Sequence, residues 1–263
     1  MGSATRGALA SASEALGSAR DVTLATAEQL LAAGRAIAGS PQLRSLLADP
    51  SVPVDDKSAL IGRIFSSIDP TASALLAGLV GSRWSSPDEL VDGIETIGIR
   101  AAATSAGADA GIESELFAVG QAVASDAELE LALGSKLGDP AAKAGIVARL
   151  LDGKASPATV AIVSHLVRSP RGRRIGSLLR FAATTVAEAG GRVIATVTAA
   201  APLSDVQRTR LRSALAAQYG REAQIDVVVD PAVIGGLRVQ VGDDVVDGTV
   251  ASRLADLRLQ LAG

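Results

Sequence analysis

The stretch VIGGLRVQVGDDVVDGTVASRL, residues 233–254, decides how the end of the chain folds. Val239 and Val241 alternate with polar residues, a Gly-Asp pair interrupts the pattern, and Val245 and Val246 resume it. Alternation with a period of two around such an interruption is typical of a β-hairpin. The stretch therefore predicts two antiparallel strands joined by a turn.

Three aspartates, Asp243, Asp244 and Asp247, fall within five positions of this hairpin and raise the question of a metal or catalytic site. A calcium loop places oxygen ligands at alternating positions and ends on a glutamate, and this stretch does neither. The pairs Gly242-Asp243 and Asp247-Gly248 instead favour turns at the two ends of a short strand. A turn-forming role is our interpretation, and a metal or catalytic role is the alternative, which a metal titration tests.

The residues around the hairpin predict a small α/β domain over residues 191–263. RVIATVTAA and AQIDVVVD are β-branched runs typical of strands, and between them lies a helical segment with Ser204 as its cap and Gly220 as its end. The last residues predict an amphipathic helix with Leu254, Leu257 and Leu261 on one stripe. The order is strand, helix, strand, hairpin, helix.

The first 190 residues carry helix signals throughout. The hydrophobic content is 48% and the aromatic content only 2%, which is typical of Ala-rich helices that pack through small residues. Ser86 is predicted to be the N-cap of a helix whose first residue is Pro87, since serine is favoured at the N-cap and proline at the first helical position. The fold class predicted is therefore mainly α, followed by the small α/β domain.

A pattern in the helical part repeats after 86 positions, where Lys57 meets Lys143. At the same offset the apolar stripe of one helix meets that of another, so that Leu60, Ile61, Ile64 and Phe65 meet Ile146, Val147, Leu150 and Leu151. Chance matching of Ala/Leu-rich helices is the alternative to an internal duplication. A duplication predicts two bundles of six helices, residues 1–105 and 87–190, that share the helix near 87–105. It also predicts that Ile64 and Leu150 are equivalent buried positions.

Several function classes are disfavoured by composition. The net charge of −3 argues against a general nucleic-acid binder, and the absence of cysteine excludes disulfides and thiolate chemistry. His165, the single histidine, lies among apolar residues and is interpreted as a core or interface residue. An arginine-rich segment is interpreted as a solvated or protein-binding face, with phosphate binding as the alternative: Arg168, Arg171, Arg173, Arg174 and Arg180. We expect no catalytic residue, metal, cofactor, export signal or membrane span.

The C-terminal part resembles the delta subunit of F-type ATP synthases, called OSCP in mitochondria. The likeness rests on GGRVIATVTAAAPLS, on the helix after it, and on DPAVIGGLRVQVGDDVVDGTV, and it covers about residues 107–263. VSHLVRSPRGRRIGSLLRFA is also similar to that family's linker helix. Six residues stand where the family's turn motif has them: Gly235, Gly236, Gly242, Asp243, Asp247 and Gly248. The extra N-terminal bundle departs from the family's single bundle.

The resemblance implies a non-catalytic stator subunit at the cytoplasmic face of a bacterial cell membrane, attached indirectly through the complex. Its implied partners are the N-terminal segments of the alpha subunits of the catalytic head and the b-type subunits of the peripheral stalk. Six leucines are candidate partner contacts: Leu75, Leu76, Leu79, Leu254, Leu257 and Leu261. A helical-repeat adaptor with an unrelated α/β tail is the alternative function, and it predicts no affinity for ATP synthase subunits.

Overall fold

The computed structural model describes residues 2–107, 110–135, 138–241 and 244–250. The chain divides into two compact units, Met1–Val186 and Ala187–Gly263. The first unit is helical and the second contains the sheet, and the division of the first unit into two bundles stays a prediction. The fold class, helices followed by a small α/β domain, is confirmed.

The helical unit is built from eleven helices within the described residues. In chain order they are α1 Ser3–Ser18, α2 Leu24–Gly39, α3 Pro41–Ala48, α4 Val54–Ile64, α5 Pro70–Gly81, α6 Pro87–Ala106, α7 Ile112–Ser125, α8 Ala127–Gly134, α9 Pro140–Leu151, α10 Pro157–Arg168 and α11 Ile175–Ala189. Of these helices as described, none is long and apolar enough to cross a membrane.

Helix positions and lengths recur along this unit at the 86-residue offset found in the sequence. A shift of 86 residues carries α3 onto α8 at both ends, and carries α4 onto α9 within one residue. The same shift brings together two buried lysines, Lys57 on α4 and Lys143 on α9. Electrostatic attraction links Lys57 to Asp49, and Lys143 donates a hydrogen bond to the carbonyl of Ser135, which is the equivalent position. Each of these lysines thus interacts with the residue eight positions before it, through a side chain in the first case and through the backbone in the second.

The helices that follow α4 and α9, which are α5 and α10, begin with equivalent hydrogen bonds. Gln29 on α2 accepts, through Oε1, a hydrogen bond of 2.7 Å from the backbone N–H of Asp69, the N-cap of α5. Glu115 on α7 accepts the backbone N–H of Ser156, the N-cap of α10, at 3.0 Å. A long polar side chain from the second helix therefore satisfies the start of the fifth helix in each repeat.

The centre of the helical unit is α6, the helix that the two repeats share. Eleven of its residues are buried, on all of its faces, and it packs against α1, α2, α3, α5 and α10. Gly98 lets α2 approach closely, because a Cβ at this position would lie 2.6 Å from a methyl carbon of Leu31. A helix that is buried on all faces is normally apolar on all faces. On α6 the buried polar residues are Thr96 and the charged Glu95, which is 3% exposed.

The prediction that Ile64 and Leu150 are buried is wrong. The two side chains are exposed to 46% and 49%, and the buried members of their stripes are Ile61 and Val147 at 1% and 3%. The apolar stripe is wide, so either of two adjacent faces of the helix could have turned toward the core. The packing of the neighbouring helices buries the face that carries Ile61 and Val147, three positions before the predicted residues. The matched positions are still equivalent, since Ile64 and Leu150 are both exposed and Ile61 and Val147 are both buried.

Leu75, Leu76 and Leu79 on α5 lie in the core of the helical unit. Their exposed fractions are 5%, 0% and 0%, so they leave no surface for a partner. The apolar run of α5 is buried by α1, α2, α4 and α6. This corrects the expectation that these leucines contact a partner, because the bundle itself fills the positions that a partner helix would take.

The second unit is a mixed sheet of four strands with one helix. The elements are β1 Arg192–Ala199, α12 Asp205–Tyr219, β2 Glu222–Val229, β3 Leu237–Val241 and β4 Asp244–Asp247. The strand order is β2-β1-β3-β4, with β1 parallel to β2 and antiparallel to β3, and β3 antiparallel to β4. The predicted strand, helix, strand and hairpin are confirmed, while the predicted terminal helix over residues 251–263 lies outside the described residues.

The caps and core of this unit follow from its local sequence. Ser204 accepts from the N–H of Gln207, and the Gln207 side chain accepts from the N–H of Ser204, which together form a capping box. Gly220 ends α12 in the left-handed conformation with φ 66°. The alternate residues of the strands that face α12 form the core: Ala195, Val197, Ala223, Ile225 and Val239, with Leu215 of the helix.

Candidate functional site

A buried ionic cluster lies where the two repeats meet, and we call it the Glu95 cluster: Glu95, His165, Arg35, Arg171 and Arg173. Glu95 accepts hydrogen bonds from His165 Nε2 at 3.1 Å, from Arg171 at 2.7 Å and from Arg173 at 2.7 Å. Arg35 of α2 lies 2.7 Å from the other ring nitrogen of His165. The cluster therefore connects α2, α6, α10 and the loop before α11.

The hydrogen bonds determine the protonation of His165. A guanidinium group only donates, so Nδ1, facing Arg35, accepts the hydrogen bond. Nε2 then carries the proton and donates it to Glu95. Burial lowers the pKa of His165, and the hydrogen bond with Glu95 only partly offsets this effect. The ring is thus a neutral connector between a guanidinium group and a carboxylate.

Glu95 is ionised although it is buried. Burial by itself would raise its pKa, but the hydrogen bond from His165 and the charges of Arg171 and Arg173 outweigh burial and lower the pKa to about 2. Each carboxylate oxygen has a donor, and both nitrogens of His165 are engaged. All four of these atoms are thus already hydrogen-bonded within the cluster, and the arrangement suits a structural connection.

The arginine-rich segment divides into two sets in the structure. Arg171 and Arg173 turn inward to Glu95, and Arg171 also contacts Asp92 at 2.7 Å. Arg168 and Arg174 are exposed, and Arg180 donates to Ser177. Sequence reasoning missed Glu95 as the partner of this segment. The available signal was a single glutamate within an otherwise apolar stretch of α6, since a buried carboxylate requires cations nearby.

The turn motif of the second unit holds β3 and β4 together at their open end. Gly236 adopts φ 81°, and a Cβ at this position would lie 2.3 Å from the carbonyl oxygen of Gly248. The backbone N–H groups of Gly248 and Val250 donate to the carbonyls of Leu237 and Gly235 at 2.9 and 3.0 Å. A side chain at Gly236 would separate these two segments, so the contact requires glycine.

Asp247 ends β4 in a local turn. Its Oδ1 accepts the backbone N–H of Thr249 at 3.0 Å, and this bond is the main reason that its pKa is lowered. It stands opposite Arg238 on β3, whose charge lowers the pKa further. Such a bond two residues along the chain is the geometry of an Asx turn. Gly242 and Asp243 lie outside the described residues.

Apolar side chains remain exposed on the second unit. Val245 and Val246 of β4, the edge strand, are exposed to 45% and 56%, and Ile234 in the preceding loop is exposed to 83%. An edge strand with exposed valines offers both apolar area and free backbone groups. Leu254, Leu257 and Leu261, the other predicted partner contacts, lie outside the described residues. Among the described residues, no group of three or more acidic or histidine side chains could hold a metal ion.

Comparison with known proteins relates both units to one family. The family model "ATP synthase delta (OSCP) subunit" matches residues 99–261, more than half of the chain. This chain belongs to the ATP synthase delta (OSCP) family. The matched range contains the end of α6, helices α7–α11 and the sheet, so the C-terminal α/β unit is a part of this family and not an unrelated tail.

Relatives in this family share the whole length of the chain. The "ATP synthase subunit delta" of Leifsonia xyli is 53% identical over 266 residues, covering 100% of both chains. That of Streptomyces avermitilis is 40% identical over 267 residues, covering 98% of each chain. The first repeat, which lies mostly outside the matched range of the family model, therefore has counterparts in these delta subunits. A chain of the Toxoplasma gondii mitochondrial ATP synthase hexamer matches 64% of this chain at 22% identity, with a TM-score of 0.41 that is too low to support an argument.

Proposed function

We propose that this protein is a non-catalytic stator subunit of an F-type ATP synthase, which links the catalytic head to the peripheral stalk. Its helical unit binds the N-terminal segments of the alpha subunits, and its C-terminal unit binds b-type stalk subunits. In this position it resists the torque of the rotor, so that proton flow drives ATP synthesis. It is attached peripherally, through the complex, to the cytoplasmic face of a bacterial cell membrane.

The observation that carries this proposal is the full-length likeness to delta subunits at 53% identity. Two structural features agree with it. The Glu95 cluster engages both carboxylate oxygens of Glu95 and both ring nitrogens of His165 in hydrogen bonds, which is expected of a mechanical part. The exposed valines of β4 offer an apolar surface at the edge of the C-terminal unit, where a stalk helix can pack.

The test uses inverted membrane vesicles that carry a chain truncated by residues 251–263. The truncation removes the predicted stripe of Leu254, Leu257 and Leu261, and it is expected to release the chain and the head from the stalk. ATP hydrolysis by the head persists, because the truncation takes no catalytic group from it, while proton-driven ATP synthesis is lost because the stator no longer holds. Normal coupled synthesis in these vesicles would disprove the stalk-binding role.

A binding experiment separates this function from that of a general helical adaptor. The purified full-length chain is mixed with the catalytic head and, separately, with the b-type stalk subunits, and complexes are resolved by gel filtration. A stator subunit forms a complex with each. An adaptor outside ATP synthase forms neither, and that result would overturn the proposal.

A further inference from the structure

A cavity of about 550 Å³ lies beside the Glu95 cluster in the helical unit, and we call it the arginine cavity. Its wall is formed by the ends of α2 and α10, the starts of α3 and α6, and the loop before α11. The wall contains two carboxylates, those of Asp88 and Asp92. Five of its ten residues are arginines: Arg35, Arg44, Arg168, Arg171 and Arg173. Cationic hydrogen-bond donors therefore line this space.

Three of these arginines are paired with carboxylates. The ion pairs, all within 2.8 Å, are Arg44 with Asp88, Arg171 with Asp92, Arg171 with Glu95, and Arg173 with Glu95. Arg35 contacts the ring of His165 and is attracted by Glu28. Among the described residues, no carboxylate forms an ion pair with Arg168. Five arginines thus stand against four carboxylates, Glu28 included, and the cavity keeps one positive charge in excess.

The excess charge acts on Arg35. Burial lowers the pKa of this group most, repulsion by Arg168 lowers it further, and the attraction of Glu28 raises it by less than that repulsion. The charges of Arg35 and Arg171 in turn lower the pKa of His165. An anion placed near Arg35 and Arg168 offsets the repulsion between them, because a nearby opposite charge favours the ionised form of a group.

The wall also holds hydrogen-bond donors that the protein leaves unused. The Nε atom of Arg44 is buried and has no partner among the described residues. Arg168 lies exposed at the end of α10, and Ser169 adds a hydroxyl group to the wall. A guanidinium group has five donors, and Arg35 uses one of them for His165. An oxyanion with several acceptor oxygens can bind such donors from different helices at once.

The composition of the wall favours a phosphate group as the ligand. Guanidinium groups bind phosphate through two parallel hydrogen bonds. None of the ten residues of the wall is aromatic, and its apolar part is limited to Ala38 and Gly39, so a nucleobase gains little contact there. Asp88 and Asp92 oppose an anion, but they are 74% and 48% exposed, and water weakens their repulsion.

We propose that the arginine cavity binds a phosphate-type oxyanion, either free phosphate or a phosphoryl group of a larger molecule, between Arg35, Arg44 and Arg168. One bound oxyanion then connects α2, α3 and α10, and it stabilises the helical unit because it binds the folded chain. This site does not depend on the proposed function, since it involves neither the catalytic head nor the stalk.

The first experiment identifies the ligand. The purified full-length chain is titrated by calorimetry, at constant ionic strength, with inorganic phosphate, pyrophosphate, ADP and, as a carboxylate, acetate. We expect phosphate or pyrophosphate to bind at least about tenfold more tightly than acetate and to raise the melting temperature. Equal affinities for pyrophosphate and ADP indicate a site for phosphoryl groups alone, and tighter binding of ADP indicates a nucleotide. Acetate binding as tightly as phosphate, or no binding of phosphate, pyrophosphate and ADP, would overturn the proposal.

The second experiment removes one cation. Arg168→Gln takes away the arginine that lacks a carboxylate partner, and Arg63→Gln makes the same change on α4, outside the cavity. The two substitutions are matched, because both side chains are exposed and lie in the last turn of a helix. We expect Arg168→Gln to weaken pyrophosphate binding at least about tenfold and Arg63→Gln to change it less than about twofold. Equal affinities of the two variants would mean that the arginine cavity is not the site.

The third experiment removes a competitor for the cations. Asp88→Asn frees Arg44 from its carboxylate, and Asp56→Asn is the control, because both aspartates are exposed and lie in the first turn of a helix. We expect Asp88→Asn to bind pyrophosphate about fivefold more tightly than the wild type and Asp56→Asn to match the wild type. Structural damage does not raise affinity, so this gain measures the charge of the cavity itself. An unchanged or weaker affinity in Asp88→Asn contradicts the proposal.

Discussion

Glu95 and His165 lie 70 positions apart in the chain, and their side chains meet at 3.1 Å inside the helical unit. Glu95 belongs to the helix that the repeats share, while His165 belongs to the second repeat and contacts Arg35 of the first. A specific polar contact therefore joins α2, α6 and α10 in addition to their apolar packing. A buried polar network of this kind disfavours other packing arrangements of the helices, because an incorrect arrangement would leave a buried charge unpaired.

Removing the charge of Glu95 is expected to destabilise the helical unit. Glu95→Gln leaves Arg171 and Arg173 without their shared carboxylate, and we expect a loss of about 3 kcal/mol in the free energy of unfolding, near the low end for a broken buried pair because both arginines are partly exposed. Asp92→Asn is the control, since this half-exposed carboxylate pairs with the same Arg171. Its expected cost is below about 1 kcal/mol. If urea denaturation gave equal losses in the free energy of unfolding for both variants, Glu95 would not be the main stabilising carboxylate of the cluster.

The stability of the helical unit should fall as the pH decreases below about 6.5. The pKa of His165 is lower in the folded chain than in the unfolded chain, so the unfolded chain binds more protons in this window and gains stability as the pH falls. Glu95 adds a second loss below about pH 4.5, because its pKa is about 2 when folded. The measurement is the melting temperature from pH 7.5 to 3.

Two variants separate these contributions. In His165→Gln the decline between pH 7 and 5 should be shallower than in the wild type, because the titrating ring is gone. The difference in stability between Glu95→Gln and the wild type should shrink below pH 4.5, where the unfolded carboxyl group is protonated. Parallel curves for all three proteins would show that neither group causes the pH dependence.

Gly236 should tolerate no side chain. Gly236→Ala places a Cβ 2.3 Å from the Gly248 carbonyl in a left-handed conformation, and we expect a loss of about 3 kcal/mol or more from strain and overpacking together. Gly220→Ala is matched to it, because Gly220 is also left-handed in the same unit but has open space around its Cα. Its expected cost is about 1–2 kcal/mol. Hydrogen exchange of the β3 and β4 backbone amides measures the destabilisation caused by each substitution. Similar protection of these amides in the two variants would contradict the predicted difference.

The exposed and buried members of the repeated stripe should respond differently to truncation. Ile61→Ala should cost about 2–5 kcal/mol and Ile64→Ala less than about 0.5 kcal/mol, because the first side chain is buried and the second is exposed. Val147→Ala and Leu150→Ala, the equivalent positions, should show the same order in the second repeat. A larger effect at Ile64 than at Ile61 in chemical denaturation would mean that α4 presents its other face to the core.

Asp247→Asn should be tolerated, since asparagine can accept the same backbone bond from Thr249. We expect ATP synthesis in membrane vesicles to remain close to the wild-type rate. Asp247→Ala, which removes the acceptor, serves as the comparison and should loosen the turn without abolishing hydrolysis. A severe loss of activity in Asp247→Asn, with the fold intact, would support a catalytic role for this carboxylate.

Features that depend on a few neighbouring residues could be predicted from the sequence. Ser86 caps α6, and the capping box of Ser204 and Gln207 begins α12, because each of these bonds joins residues three positions apart. The alternation of Val239 and Val241 predicts the hairpin, since side chains in a strand point to opposite faces in turn. The offset that relates α3 to α8 is likewise a property of the chain itself.

The tertiary structure decided which apolar face is buried and which polar groups meet. Ile61 and Ile64 have the same chemistry, and only the helices around α4 determine that the first is buried and the second exposed. Glu95 could be recognised as unusual because isoleucines lie on both sides of it in the sequence, but its partners lie 70 to 78 positions away. Local hydrogen bonds and periodicity are properties of adjacent residues, whereas burial and ion pairing depend on how distant helices pack, and this packing has no signature at any single position of the sequence.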